Sequence, residues 1–185
     1  MRLRKNKKEG FDQMKVLAID PGSSKSAYVV YDIENKSLVT FGIDENEVLI
    51  KRVKKLHSFV PFMLVEQVKN YGMLIGDTLL MTVFWSGRFV ESWGGDAFSL
   101  IPRKTIVTSL CGNARAKDKN VRRAILDRFS TASRGGFGKE PALGNKSHPG
   151  PIYGVSKDVF SALALALYWE DLVELEKAKL NNNIN

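Results

Sequence analysis

The chain has 185 residues, 44% of them hydrophobic and 26% charged, with 28 Lys and Arg against 20 acids, a net charge of +8 and a pI near 9.6. This balance excludes wholesale disorder and the low-complexity or collagen-like classes. The length suits one domain that buries about two-thirds of its unfolded-chain surface. Cys111 has no cysteine partner, Met1-Arg-Leu-Arg-Lys-Asn-Lys-Lys8 lacks the apolar core of a signal peptide, and no run reaches the roughly 18 apolar residues of a membrane span. The expectation is a soluble, cytoplasmic protein. The basic excess favours a polyanionic partner, nucleic acid before others. Residues 1–15 hold six bases against two acids, which places +4 of the +8 there. Residues 1–14 therefore read as a basic flexible arm, 15–180 as a single domain and 181–185 as a polar tail.

Lys15-Val-Leu-Ala-Ile-Asp20 is a short apolar run closed by Pro21-Gly22-Ser23-Ser24, and predicts a buried strand that delivers Asp20 at its C-terminal end. Ala27–Tyr31 and Ser37–Gly42 predict two more strands joined by a polar hairpin turn. Residues 45–58 place Val48, Leu49, Val53 and Leu56 at helical spacing. Phe62-Met-Leu-Val-Glu66 is another buried strand, again ending on a carboxylate. From Tyr71 to about Val90 the chain is apolar on more than one face, which predicts a helix buried in the core or at a subunit interface. Phe98–Ile101 predicts a strand. Lys119–Phe129 predicts a helix with Asp118 as its N-cap. Residues 130–156 are rich in Gly and Pro and predict a long mobile loop, followed by a helix from about Lys157 to Lys179. The order β-β-β-α-β-α-β-α-α makes the fold class α/β, a mixed sheet flanked by helices.

Three carboxylates stand at unusual places. Asp20 and Glu66 end strongly apolar strands, and Asp158 opens an apolar helix. The carboxyl ends of strands in an open α/β sheet face the crevice where ligands bind. Three such anions repel one another unless a cation lies among them, and hard Mg²⁺ or Mn²⁺ suits an all-oxygen set. Such a centre fits phosphodiester hydrolysis. His57 and His148 have no third group that would complete a zinc site or a catalytic triad, and neither a phosphate-binding Gly-x-x-x-x-Gly-Lys nor a dinucleotide fingerprint occurs.

Leu17-Ala-Ile-Asp20-Pro-Gly22, Val65-Glu66-Gln67-Val68 and Asp158-Val-Phe-Ser-Ala-Leu-Ala-Leu-Ala-Leu167 resemble the RuvC-type Holliday-junction resolvases of the RNase H-like superfamily. The stretch Gly112–Phe129 and Gly150-Pro-Ile-Tyr-Gly-Val155 look most like the small phage-encoded members. The resemblance implies an RNase H-like mixed β-sheet, a homodimer without membrane or nucleotide cofactor, and paired nicking of four-way and other branched DNA with Mg²⁺ or Mn²⁺. It implies that Asp20, Glu66 and Asp158 are the catalytic, metal-binding acids. Cellular members typically carry a further Asp at the position of Ser161, so this chain lacks one acid, and Ser161, Asp118 and Lys157 are auxiliary candidates. The helix over 71–90 matches the family's dimer helix. Lys69, Tyr71, Arg103, Lys104, Arg115, Lys117, Lys119, Arg122, Arg123 and Arg134 are the DNA-binding candidates. The alternatives are an RNase H-like nuclease for flaps or RNA–DNA hybrids, and a catalytically weak junction-binding protein.

Overall fold

The computed structural model describes residues 14–70, 72, 74–130 and 140–182. The predicted N-terminal arm over 1–14, apart from Met14, and the tail beyond Asn182 lie outside them, as do Tyr71 and Arg134. The elements, in chain order, are β1 (Lys15–Asp20), β2 (Lys25–Asp32), β3 (Ser37–Glu45), α1 (Asn46–Leu56), β4 (Phe62–Gln67), α2 (Asp77–Trp93), β5 (Phe98–Pro102), α3 (Arg103–Cys111), α4 (Asp118–Ser130) and α5 (Val159–Asn182). The strands form one sheet in the order β3-β2-β1-β4-β5. The β1–β2 and β2–β3 pairs are antiparallel, whereas β1–β4 and β4–β5 are parallel. The fold is a mixed sheet flanked by helices, as the element order predicts. Among the described residues no helix is long and apolar enough to cross a membrane.

Strand side chains alternate between two buried faces. Val16, Ala18, Ala27, Val29, Tyr31 and Leu64 pack with α3, α4, α5 and residues 142–155. Leu17, Ile19, Tyr28, Val30, Met63 and Val65 pack on the other face with α1 and α2. Helix α5 lies against β1 and β2 and is itself covered by α3 and α4. That is why Ala162–Leu167 is apolar all round and buried throughout. Each fully buried leucine there contributes roughly 1.5–3 kcal/mol.

Three differences from the sequence reading have physical reasons, and of the predicted loop over 130–156 residues 131–139 lie outside the described residues. Helix α3 is absent from the sequence reading: its centre is the β-branched run Thr105-Ile-Val-Thr108, which weakens helical propensity, and only Ile106 and Val107 are buried. Helix α2 starts later than expected, after Gly76, and only Trp85, Phe89 and Trp93 of it are buried. Asp118 is not the N-cap of α4. Lys117 is: its carbonyl accepts from Asn120 and Val121, and its N–H donates to the Asn120 side chain (3.1 Å). Within 140–156 there is no named helix or strand, yet Ala142, Ile152 and Val155 are core residues. A two-pronged ion pair from Arg122 to Glu140 (2.6 and 2.8 Å) ties this segment to α4.

The β2–β3 turn carries a test. Asp32 accepts from the Asn35 N–H (2.9 Å) and the Asn35 side chain (3.1 Å). Burial opposes its charge, but these hydrogen bonds outweigh it and lower its pKa below the ordinary 3.8. A carboxyl with a depressed folded pKa contributes stability above its unfolded value and loses it as pH falls through the folded one. Asp32→Ala is expected to cost about 1 kcal/mol at pH 7. Urea melts should show the gap from wild type shrinking as pH drops below about 4.

Candidate active site

Asp20 and Glu66 reach one pocket because their strands are parallel neighbours in matching register. Ile19 lies opposite Val65, so the next residues, Asp20 and Glu66, stand side by side where both strands leave the sheet. Alternation sends both toward the α5 face, since Ala18 and Leu64 point there. The turn that follows Asp20 is clamped by a buried polar set. The Gly22 N–H donates to Ser26 Oγ (3.0 Å), Ser26 Oγ–H donates to Asn46 Oδ1 (2.6 Å), and Asn46 Nδ2 donates to the Gly22 carbonyl (3.0 Å). A Cβ at Gly22 would collide with the Lys25 carbonyl oxygen, so only glycine fits. Sequence reasoning missed Ser26 and Asn46, which carry no signal beyond being polar in apolar surroundings.

The N-terminus of α5 covers this pocket from the same face. Asp158 is exposed and precedes the first turn, its carbonyl accepting from Ser161 and Ala162. Its neighbour Lys157 has φ of 47°, a backbone state that few non-glycine residues adopt. One turn on, the Ser161 side chain lies near Asp20 and favours its charged form. Asp158 thus lies on the same side of the sheet as Asp20 and Glu66, and its charge is felt by Asp20.

Arg103 lies among these acids. It leaves β5 at the sheet edge where β1 and β4 end, and opens α3. Its Nη1 donates to Glu66 (3.1 Å to Oε2, 3.4 Å to Oε1) and makes a long contact with Ser161 Oγ (3.4 Å). Its Nη2 donates to Asp118 Oδ1 (2.6 Å). The sequence groups Arg103 with the phosphate-binding bases; the structure places it inside the acid cluster.

The electrostatics follow from burial. Asp20 is pushed up to about 7, first by desolvation, then by the charges of Glu66 and Asp158, while Arg103 and the Ser161 side chain pull it down. Glu66 is raised as well, by burial above all, against the opposing pull of Arg103. Burial disfavours the Arg103 charge, but Glu66, Asp118 and Asp20 outweigh it and hold its pKa above the ordinary value. Carboxylates this desolvated stay ionised at neutral pH only with positive charge beside them.

Among the described residues no three His, Cys, Asp or Glu side chains stand close enough together to enclose a metal ion. The donors present nevertheless fit a hard divalent cation. Mg²⁺ keeps several waters and is commonly held by one or two carboxylates together with substrate phosphate oxygens. Asp20 and Glu66, side by side at two strand ends, meet that requirement, with Asp158 at the rim.

The other candidate residues fall into groups. Lys119, Arg122 and Lys157 line a cleft that runs from Arg103 and Asp118 past Asp158 and Ser161. Arg122 is committed there to Glu140 and to the face of Phe160, 5.2 Å from the ring centroid. Lys69 and Lys104 share a second groove with Thr105, Thr108, Ser109 and Tyr168. Arg123 pairs with Asp127 (2.9 Å), and Arg115 and Lys117 are exposed.

No protein-family model matches the sequence, and no curated protein does. Solved structures do. Thermus thermophilus RuvC in complex with a Holliday junction substrate superimposes with a TM-score of 0.60 at 18% identity, covering 84% of this chain and 92% of that one. The fold is that of RuvC. A second Thermus thermophilus RuvC structure matches with a TM-score of 0.54 at 17% identity and the same coverage. The nuclease of a large terminase from thermophilic phage G20c, with bound cobalt, is more distant, with a TM-score of 0.37 at 16% identity over 85% of this chain and 81% of that one.

Proposed function

We propose that the chain is a metal-dependent, structure-selective endodeoxyribonuclease that cuts four-way and other branched DNA as a symmetric dimer. The observation that carries this reading is the meeting of Asp20 and Glu66 on one face of a RuvC-fold sheet, under the α5 turn that bears Asp158 and Ser161. A net charge of +8 and the RuvC–junction complex among the similar structures support DNA as the substrate. Asp20 and Glu66, with Asp158, would hold Mg²⁺ or Mn²⁺. When bound, such an ion activates the attacking water and stabilises the departing 3′-oxygen. Asp20 is oriented for this by the clamped Pro21-Gly22 turn, near the Ser161 side chain. Lys119 and Lys157 offer phosphate contacts along the cleft.

Helix α2 supports the dimer. Leu80, Val83 and Phe84 are 55%, 51% and 51% exposed at helical spacing, beside Met81 and the exposed Leu74 and Ile75. A contiguous apolar stripe of this kind marks an interface. Leu80→Glu combined with Phe84→Glu is expected to sediment as a monomer while keeping the wild-type circular dichroism spectrum.

The decisive experiment is incubation of the purified chain with a labelled immobile four-way junction, with and without Mg²⁺ or Mn²⁺, beside matched flap and RNA–DNA hybrid substrates. Symmetric paired nicks in the junction, only with metal and more readily than in the flap or hybrid, are the expected result. Preferential cutting of flaps or hybrids would reassign the substrate. Junction binding in EDTA with no product on adding Mn²⁺ would leave a binding protein without catalysis.

A further inference from the structure

We propose that Arg103 is the resident second cation of this site, so that the chain binds a single divalent ion where an all-acid pocket would take two. The inference rests on the nuclease reading above and deepens it. Arg103 donates to both Glu66 oxygens and contacts Ser161 Oγ, and the Ser161 side chain lies near enough to Asp20 to favour its charged form. One guanidinium thus spans the ground between the strand acids and the α5 turn. Its second nitrogen is anchored on Asp118 at 2.6 Å, from an arm whose backbone begins α3. Anchored at both ends, it cannot leave the pocket without breaking two ion pairs.

Asp20, Glu66, Asp158 and Asp118 bring four negative charges, and Arg103 pairs directly with two of them, Glu66 and Asp118. Its guanidinium already fills the ground between Glu66 and the α5 turn, where Ser161 supplies a neutral hydroxyl and no charge to hold a second divalent ion. Ser161 and Arg103 are therefore one arrangement: the serine gives up an acid, and the arginine fills the place with a fixed positive charge. A guanidinium needs no free metal and presents a planar set of donors suited to a phosphate.

The test is the number of Mn²⁺ ions bound per full-length chain at saturation, followed by electron paramagnetic resonance of free Mn²⁺ and checked by calorimetry. Wild type is expected to bind one, and Arg103→Lys, which keeps the charge, also one. Arg103→Met combined with Ser161→Asp is expected to bind two. Arg103→Met alone should tighten the first ion by about tenfold, the effect of removing one like charge within a few ångströms. Two ions on wild type would overturn the proposal without any variant being needed. So would one ion on a folded double variant. Binding of no ion by wild type, with Asp20→Asn indistinguishable from it, would remove the metal reading of the site itself and this inference with it. One ion lost on Asp20→Asn, with no response to Arg103 changes, would overturn the inference alone.

Discussion

Asp20→Asn is expected to abolish strand cleavage, by about 10³-fold or more, the rate equivalent of losing several kcal/mol of metal-derived stabilisation. The substitution keeps the shape of the side chain and its place beside Glu66, so the fold and the Pro21-Gly22 clamp should survive. What it removes is the charge. Asp20 is the group on which the pocket converges: it neighbours Glu66 and feels Asp158, Arg103 and the nearby Ser161 side chain. Four-way junction binding in EDTA should be unchanged or tighter, because one negative charge has gone from a surface that must accept phosphates. Gel-shift and cleavage assays on the same preparation separate the two effects. A variant that still cut at the wild-type rate would remove Asp20 from the chemistry. One that lost binding together with cleavage would point to damage in the turn.

Much of this arrangement is legible in the sequence, for reasons that can be named. The apolar runs of β1 and β4 are short, bounded by turn residues and end on acids, so both the strands and the positions of Asp20 and Glu66 can be read directly. The continuous apolar stretch Ala162–Leu167 likewise announces a helix pressed between layers. Other features depend on partners that a linear reading does not reveal. Helix α3 is stabilised by its packing on α5 and α4 rather than by propensity, and its β-branched centre hides it. Asp118 reads as a cap, but the helix opens one residue earlier, with Lys117 as the cap and Asn120 reaching back to its N–H, while the Asp118 carboxylate pairs with Arg103. The bases of α4 look alike in sequence, yet Arg122 is spent on Glu140 and Phe160 and Arg123 on Asp127, which leaves Lys119 facing the cleft. Arg103 shows the limit most clearly. Its charge suggests phosphate, and only the convergence of three parallel strand ends reveals that it faces acids.

The largest stability effect is expected far from this pocket, at Glu170. This carboxylate on α5 is completely buried. It accepts from the Tyr31 hydroxyl on β2 (2.8 Å), pairs with Arg128 of α4 (2.9 Å) and has Lys36 of the β2–β3 turn at 3.4 Å. Arg128 also reaches Asp171 (2.8 Å), and burial together with Glu170 holds the Tyr31 phenol well above its ordinary pKa, so it remains a donor. Removing one partner from a buried ion pair strands the other, which costs about 3–5 kcal/mol. Arg128→Met is expected near the lower end, because Lys36 remains close to Glu170. For a chain of this size that is a fall in Tm of about 6–12 °C. Replacing the whole set, Arg128→Met with Glu170→Leu and Tyr31→Phe, should recover most of the loss, since an apolar cluster of similar volume strands no fully buried charge and Asp171, which also loses Arg128, is partly exposed. The two variants measured together separate the cost of an orphaned carboxylate from the cost of lost packing. If Arg128→Met melted within about 0.5 kcal/mol of wild type, the range of an ordinary surface change, Lys36 and Tyr31 would suffice to hold Glu170 and the α4 contact would be dispensable.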